Sequence, residues 1–104
     1  MTFDFHGDAL REYEEAGLWY EEQRRLLGVE FTRAIELAIV AILANPERCQ
    51  PVGQGIRIFR VRRFPYYIYY KWDEPREHVR VVAIMHSRRR PDYWPDRLRD
   101  SAAG

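Results

Sequence analysis

His86 is the residue best suited to acid–base work, because Ser87 and three consecutive arginines, Arg88, Arg89 and Arg90, follow it directly. An imidazole at a strand end beside guanidiniums suits proton transfer next to a phosphodiester, with the cations holding the developing charge. The same pattern also fits a histidine that caps its strand by bonding to backbone. A second basic group, Arg57, Arg60, Arg62 and Arg63, falls within seven residues. Strand alternation puts Arg60 and Arg62 on one face with Ile56 and Ile58, and Arg57 and Arg63 on the other with Phe59 and Val61. These cations therefore do not all converge on one patch. Alternation also separates Tyr66, Ile68, Tyr70 and Trp72 from Tyr67, Tyr69 and Lys71. One set is core, and the other either stacks on bases or covers the sheet.

Other chemistries lack their residues. His6, His78 and His86 show no metal-ligand spacing, and Cys49 has no second cysteine, so no metal or cofactor is expected. With Ser87 and Ser101 the only serines, a Ser/His/Asp triad has no support. Gly53-Gln54-Gly55 reads as a turn before a strand and not as a phosphate loop. The formal net charge is only +1, but it conceals an asymmetry. Residues 1–47 hold ten acids and four bases, whereas residues 48–104 hold thirteen bases and six acids. All of the 17 bases except Lys71 are arginine, whose planar fork suits phosphate or carboxylate, so the expected partner is anionic.

The elements that must position these residues follow from periodicity. A chain of 104 residues with 46% hydrophobic content suits one domain, expected over 1–104, and excludes disorder. Thr2–Phe5 alternates and predicts a short strand. A first helix opens with Asp8 as N-cap, carries Leu10, Tyr13, Ala16, Gly17, Tyr20, Arg24 and Leu27 inward, turns Glu12, Glu14, Glu15, Glu21 and Glu22 outward, and ends at Gly28. Gly17 weakens that helix by about 1 kcal/mol relative to alanine, which marks a close helix–helix approach. A second helix runs from Val29 to Asn45 and is stopped by Pro46. Phe31, Ala34, Ile35, Ala38 and Ile42 form its core stripe. Leu37, Val40 and Leu43 lie beside that stripe, too wide for one core contact and suited to a partner. From Gly55 the period becomes that of strands: Ile56–Phe64, Tyr66–Trp72 after Pro65, and His78–His86 after a turn at Asp73–Glu77. The third, apolar on both faces, belongs in the middle. The expected fold is α+β: a short strand and an antiparallel helix hairpin packed on an antiparallel sheet (β-α-α-β-β-β), with a short closing turn or helix around Tyr93 and Trp94. The longest apolar run, Leu37–Ala44, is far short of the roughly 20 residues a membrane span needs. The opening MTFDFHGD lacks a secretory pattern, so a soluble cytoplasmic protein is expected.

Read together, Trp19-Tyr20-Glu21-Glu22-Gln23-Arg24, Asn45-Pro46-Glu47-Arg48, Pro51-Val52-Gly53, Arg62-Arg63-Phe64-Pro65-Tyr66 and His86-Ser87-Arg88-Arg89 form an ordered set over roughly residues 3 to 98. In order and spacing they resemble the RelE/ParE superfamily of type II toxin–antitoxin toxins, and more closely its ParE, or plasmid-stabilisation, branch. The resemblance implies a growth-arresting toxin neutralised by a cognate antitoxin whose C-terminal segment wraps the helix hairpin and sheet. Leu37, Val40 and Leu43 suit that contact. It implies one of two targets. ParE-like members bind DNA gyrase and trap it on cleaved DNA, for which Arg60, Arg62, Arg63, Arg88 and Arg89 are the candidate target-binding residues. RelE-like members cut mRNA on the ribosome, and in that case His86, Arg88, Arg60 and Tyr93 would be catalytic. This chain has Tyr67 where the RNase pattern places an arginine, removing a cation from the transition state. Its small net charge also suits ribosomal RNA poorly. The resemblance thus favours gyrase inhibition; mRNA cleavage and a degenerate, merely antitoxin-binding protein are the alternatives.

Overall fold

A computed structural model describes residues 1–88 and Arg97. Among these the order is β1 (Thr2–Phe5), α1 (Gly7–Gln23), α2 (Leu27–Ala44), β2 (Pro51–Gly53), β3 (Ile56–Arg60), β4 (Tyr66–Asp73) and β5 (His78–His86). The α+β class and the helix hairpin on a β3–β4–β5 antiparallel meander are as periodicity predicts. Two features of the sheet differ. β1 joins the free side of β5 in parallel, with Thr2 opposite His78 and Phe5 opposite Val81, so the five-stranded sheet is mixed. β2, only three residues long, adds an antiparallel edge to β3 and is too short to leave a periodic signal. The full order is β1-β5-β4-β3-β2, which places β5 inside the sheet as its two apolar faces require.

The helix ends also differ from the expectation. His6, not Asp8, caps α1, because the chain leaves the sheet there: the His6 N–H donates to Val81 O, and Nδ1 of its ring accepts from the Asp8 N–H. α1 stops at Gln23, and Leu26 turns the chain in a left-handed conformation (φ 69°). The Glu21 carboxylate then accepts from the N–H groups of Leu26 (2.9 Å) and Gly28 (3.0 Å), satisfying two orphan donors at the start of α2. Gly28 therefore lies within α2 instead of ending α1. A β-carbon on it would fall 2.5 Å from the Gly17 carbonyl oxygen, so the close approach predicted at Gly17 depends on the missing side chain of Gly28.

The inward face of α1 keeps Tyr13, Ala16 and Tyr20 of the predicted stripe but departs from it at both ends. Ala9 and Ala16 are buried, while Leu10 and Arg24 are exposed. Glu12 turns inward as well. Its carboxylate accepts from the Ile84 N–H (3.0 Å) and from both terminal nitrogens of Arg97 (2.8 and 2.9 Å), and Arg97 also donates to Val82 O. The site lies just beyond the end of β1, where a β-bulge at Val82 shifts the β4–β5 register. An ion pair thus replaces a neighbouring strand along β5.

One core fills the space between hairpin and sheet, with Phe31, Ile35, Ile42, Ile68, Tyr70, Val79, Val81 and Ile84 fully or nearly fully buried. Each large apolar side chain of this kind contributes about 1.5–3 kcal/mol. A second cluster, Ile56, Tyr69, Val82, Ala83 and Met85, lies on the other face, confirming the division of the β4 tyrosines. Tyr70 crosses the core to donate from its hydroxyl to Pro46 O (2.8 Å), which ties β4 to the end of α2. Burial first, then the neighbouring Cys49, drives its phenol well above the ordinary value, so it remains a donor.

Candidate functional site

β3 ends at Arg60, four residues earlier than alternation suggests. Arg63 adopts a left-handed conformation (φ 74°) and Pro65 has no N–H to donate, so residues 61–65 form a loop in place of a continuing strand. The end of β5 lies beside this loop: Tyr66 pairs with His86, and the Ser87 N–H donates to Pro65 O (2.8 Å). The α1–α2 turn reaches the same region. Tyr20 meets Phe64 edge-on at 4.9 Å, and Glu30 bridges Arg24 (2.6 Å) and Arg63 (3.4 Å). The hydrogen bond from Arg24, reinforced by both guanidinium charges, holds the Glu30 carboxyl below its ordinary range.

The outcome is an arginine-rich end of the molecule. Arg60, Arg62, Arg63 and Arg88 are exposed there, and Arg60 to Pro65 line a shallow cavity of about 600 Å³. Arg57 takes no part. Its guanidinium donates to the carbonyls of Glu47 and Cys49 and holds the connection between α2 and β2, whereas Arg63, expected on the same face, lies beyond the end of β3. The sequence reading missed Arg24 and Arg25, which the hairpin turn brings to this end. The predicted stripe turns Arg24 inward, but α1 ends at Gln23 and Arg24 is an extended C-cap, exposed like Arg25.

At the catalytic candidates the structure shows capping. His86 Nδ1 accepts from the Arg88 N–H (3.1 Å), and its ring packs edge-on to Tyr66 at 5.3 Å. Arg60 pairs across the sheet with the half-buried Tyr67, whose neighbour on β5 is Met85, so an aromatic stands beside that arginine. Arg89 and Tyr93, together with the closing turn expected around Trp94, lie outside the described residues. The arrangement offers guanidinium forks for a phosphate or carboxylate. Among the described residues no group of His, Cys, Asp or Glu is arranged to hold a metal ion.

The outer face of the hairpin is a second candidate surface. Leu37 and Val40 are 63% and 62% exposed, as the width of the apolar helix predicts. Leu43 is half-buried and packs against the core, a correction to its grouping with them: α2 turns this position toward the sheet. Leu18 and Val29, both exposed, were not singled out from sequence. With Gly17 and Gly28 they line a shallow cavity of about 550 Å³ between the helices.

A further polar chain joins β1 to β5. Thr2 Oγ1 lies 2.6 Å from His78 Nδ1, His78 Nε2 lies 2.9 Å from Asp4, and Arg80 donates to Asp4 at 2.6 Å. Parallel register places these four side chains on one face, where they clamp the edge strand.

Residues 3–91 match the model of a family described as the ParE toxin of the type II toxin–antitoxin system parDE. Among solved structures, the fold is similar to a chain described as "Chromosomal ParDE TA system from P. aeruginosa". The TM-score is 0.70 at 13% identity, covering 83% of this chain and 95% of that one. No curated protein matches the chain in sequence. Among the described residues no helix is long and apolar enough to cross a membrane.

Proposed function

We propose that this chain, which belongs to the ParE toxin family of type II toxin–antitoxin systems, arrests growth by inhibiting DNA gyrase. The family match over residues 3–91 carries the reading. Two features of the basic end favour a binding mode of action over RNA cleavage. His86 spends Nδ1 on a backbone N–H, and the aromatic Tyr67 stands opposite Arg60 where a nuclease would profit from a cation. Arg60, Arg62, Arg63 and Arg88 then serve to hold the target. The antitoxin occupies the hairpin face at Leu37 and Val40.

The test is made with purified toxin and no ribosome. Gyrase supercoiling should be blocked and cleaved DNA should accumulate, and the cognate antitoxin should restore supercoiling. Arg88→Ala should weaken inhibition through affinity, so that excess toxin recovers it. Ribosome-dependent mRNA cleavage with supercoiling untouched would transfer the function to the nuclease reading. His86→Ala would then lower cleavage by roughly a hundredfold or more.

A further inference from the structure

We infer that the arginine-rich end grips DNA itself, by its phosphodiester backbone, and is not primarily a contact for the gyrase protein. The inference rests on the gyrase reading and specifies what this end touches.

Three elements distant in sequence converge here: the α1–α2 turn with Arg24 and Arg25, the 61–65 loop with Arg62 and Arg63, and the end of β5 with Arg88. Two of the acids at this end are engaged, while Glu22 is exposed. Glu21 accepts from two backbone N–H groups, and Glu30 is shared between Arg24 and Arg63. Guanidiniums from separate elements already close on one carboxylate at Glu30, so their forks converge on a single anionic group. Arg25, Arg60, Arg62 and Arg88 are exposed on the same three elements or at the adjoining end of β3. No lysine is present at this end; the only lysine, Lys71, is in β4. Each guanidinium fork can pair two N–H donors with the two non-bridging oxygens of a phosphodiester, a geometry that a lysine ammonium lacks.

Binding of purified toxin to a 30-base-pair duplex, without gyrase, provides the test. It is followed by fluorescence anisotropy across a salt series. Neutralising about four phosphates should give a slope near −3.6 in log affinity against log salt, at about −0.9 per phosphate. Arg62→Gln and Arg88→Gln should each reduce that slope by about one. Arg76→Gln, in the exposed turn at the opposite end of β4 and β5, should leave it unchanged. Gyrase inhibition is measured in parallel on the same preparations. A toxin that blocks supercoiling but shows no salt-dependent duplex binding overturns the inference and leaves the gyrase reading standing. So does loss of affinity for DNA-free gyrase in Arg62→Gln and Arg88→Gln, which would make this end a protein contact. Tighter binding to an RNA hairpin than to the duplex also overturns it. Duplex binding without any effect on gyrase preserves the surface and removes the function above.

Discussion

Gly28 and Gly17 face one another across the helix hairpin, yet a methyl group has opposite consequences at the two positions. At Gly28 it would fall 2.5 Å from the Gly17 carbonyl oxygen and 3.0 Å from Glu21, so the helices must separate or the Glu21 cap must move. Overpacking of this kind costs about 1–3 kcal/mol, which exceeds the roughly 1 kcal/mol that alanine gains over glycine within a helix. At Gly17 the nearest atom is Thr32 Oγ1 at 3.7 Å, an ordinary contact, so the helix gain is retained. Gly28→Ala should therefore lower the melting temperature by several degrees, and Gly17→Ala should raise it, as followed by circular dichroism. Equal shifts in the same direction would show that the crossing is looser than described. Only part of this pair is legible in sequence. A glycine inside an apolar stripe signals close approach, as Gly17 does. A glycine between two helices reads as a stop whether it ends one helix or starts the next. Spacing alone cannot separate those roles, and it was the Glu21 cap and the left-handed Leu26 that decided between them.

Among elements, β5 is the one whose surroundings sequence describes least. Its doubly apolar pattern predicts a central strand, and both Val79 and Val82 are fully buried. Its neighbour beyond Val81 is nevertheless a Glu12–Arg97 ion pair drawn from two other parts of the chain, and Glu12 sits among acids that are mostly outward. The side chains of Glu12 and Arg97 are 12% and 10% exposed, so removing one strands the other. Breaking such a pair costs about 3–5 kcal/mol, and Glu12→Ala also orphans the Ile84 N–H. Urea denaturation should show that loss in Glu12→Ala and a smaller one in Glu12→Gln, which keeps an acceptor for Ile84. Stability of Glu12→Ala within 1 kcal/mol of wild type would mean that water replaces the carboxylate. The hairpin and meander were readable because each has many residues of one period. The parallel docking of β1 was not, since four alternating residues do not indicate which edge they join.

At the scale of the whole molecule, the two candidate surfaces are built by different means, and their legibility differs accordingly. The basic end was visible as runs of arginine. Its full membership was not, because Arg24 and Arg25 arrive from the hairpin turn. The hairpin face was visible as surplus apolar width on α2, and here the structure separates three residues that sequence grouped. Val40 projects outward at 62% exposure, whereas Leu43 packs against the core one turn away. Aspartate at the two positions therefore tests different things. Val40→Asp should leave the circular dichroism and melting of the isolated toxin nearly unchanged, since the carboxylate remains in water. It should weaken antitoxin binding, because docking would then bury a charge and forfeit about 1.5–3 kcal/mol of apolar burial. At 1.4 kcal/mol per tenfold, titration calorimetry should record a loss of roughly 10- to 100-fold or more in affinity. Leu43→Asp should instead melt at a lower temperature with or without antitoxin, because its charge would enter the space between α2 and the sheet. If Val40→Asp binds antitoxin as tightly as wild type, the outer face of α2 is not the interface. The antitoxin contact must then be sought elsewhere, first at the cavity between Leu18 and Val29, where Leu18→Asp would be the corresponding probe.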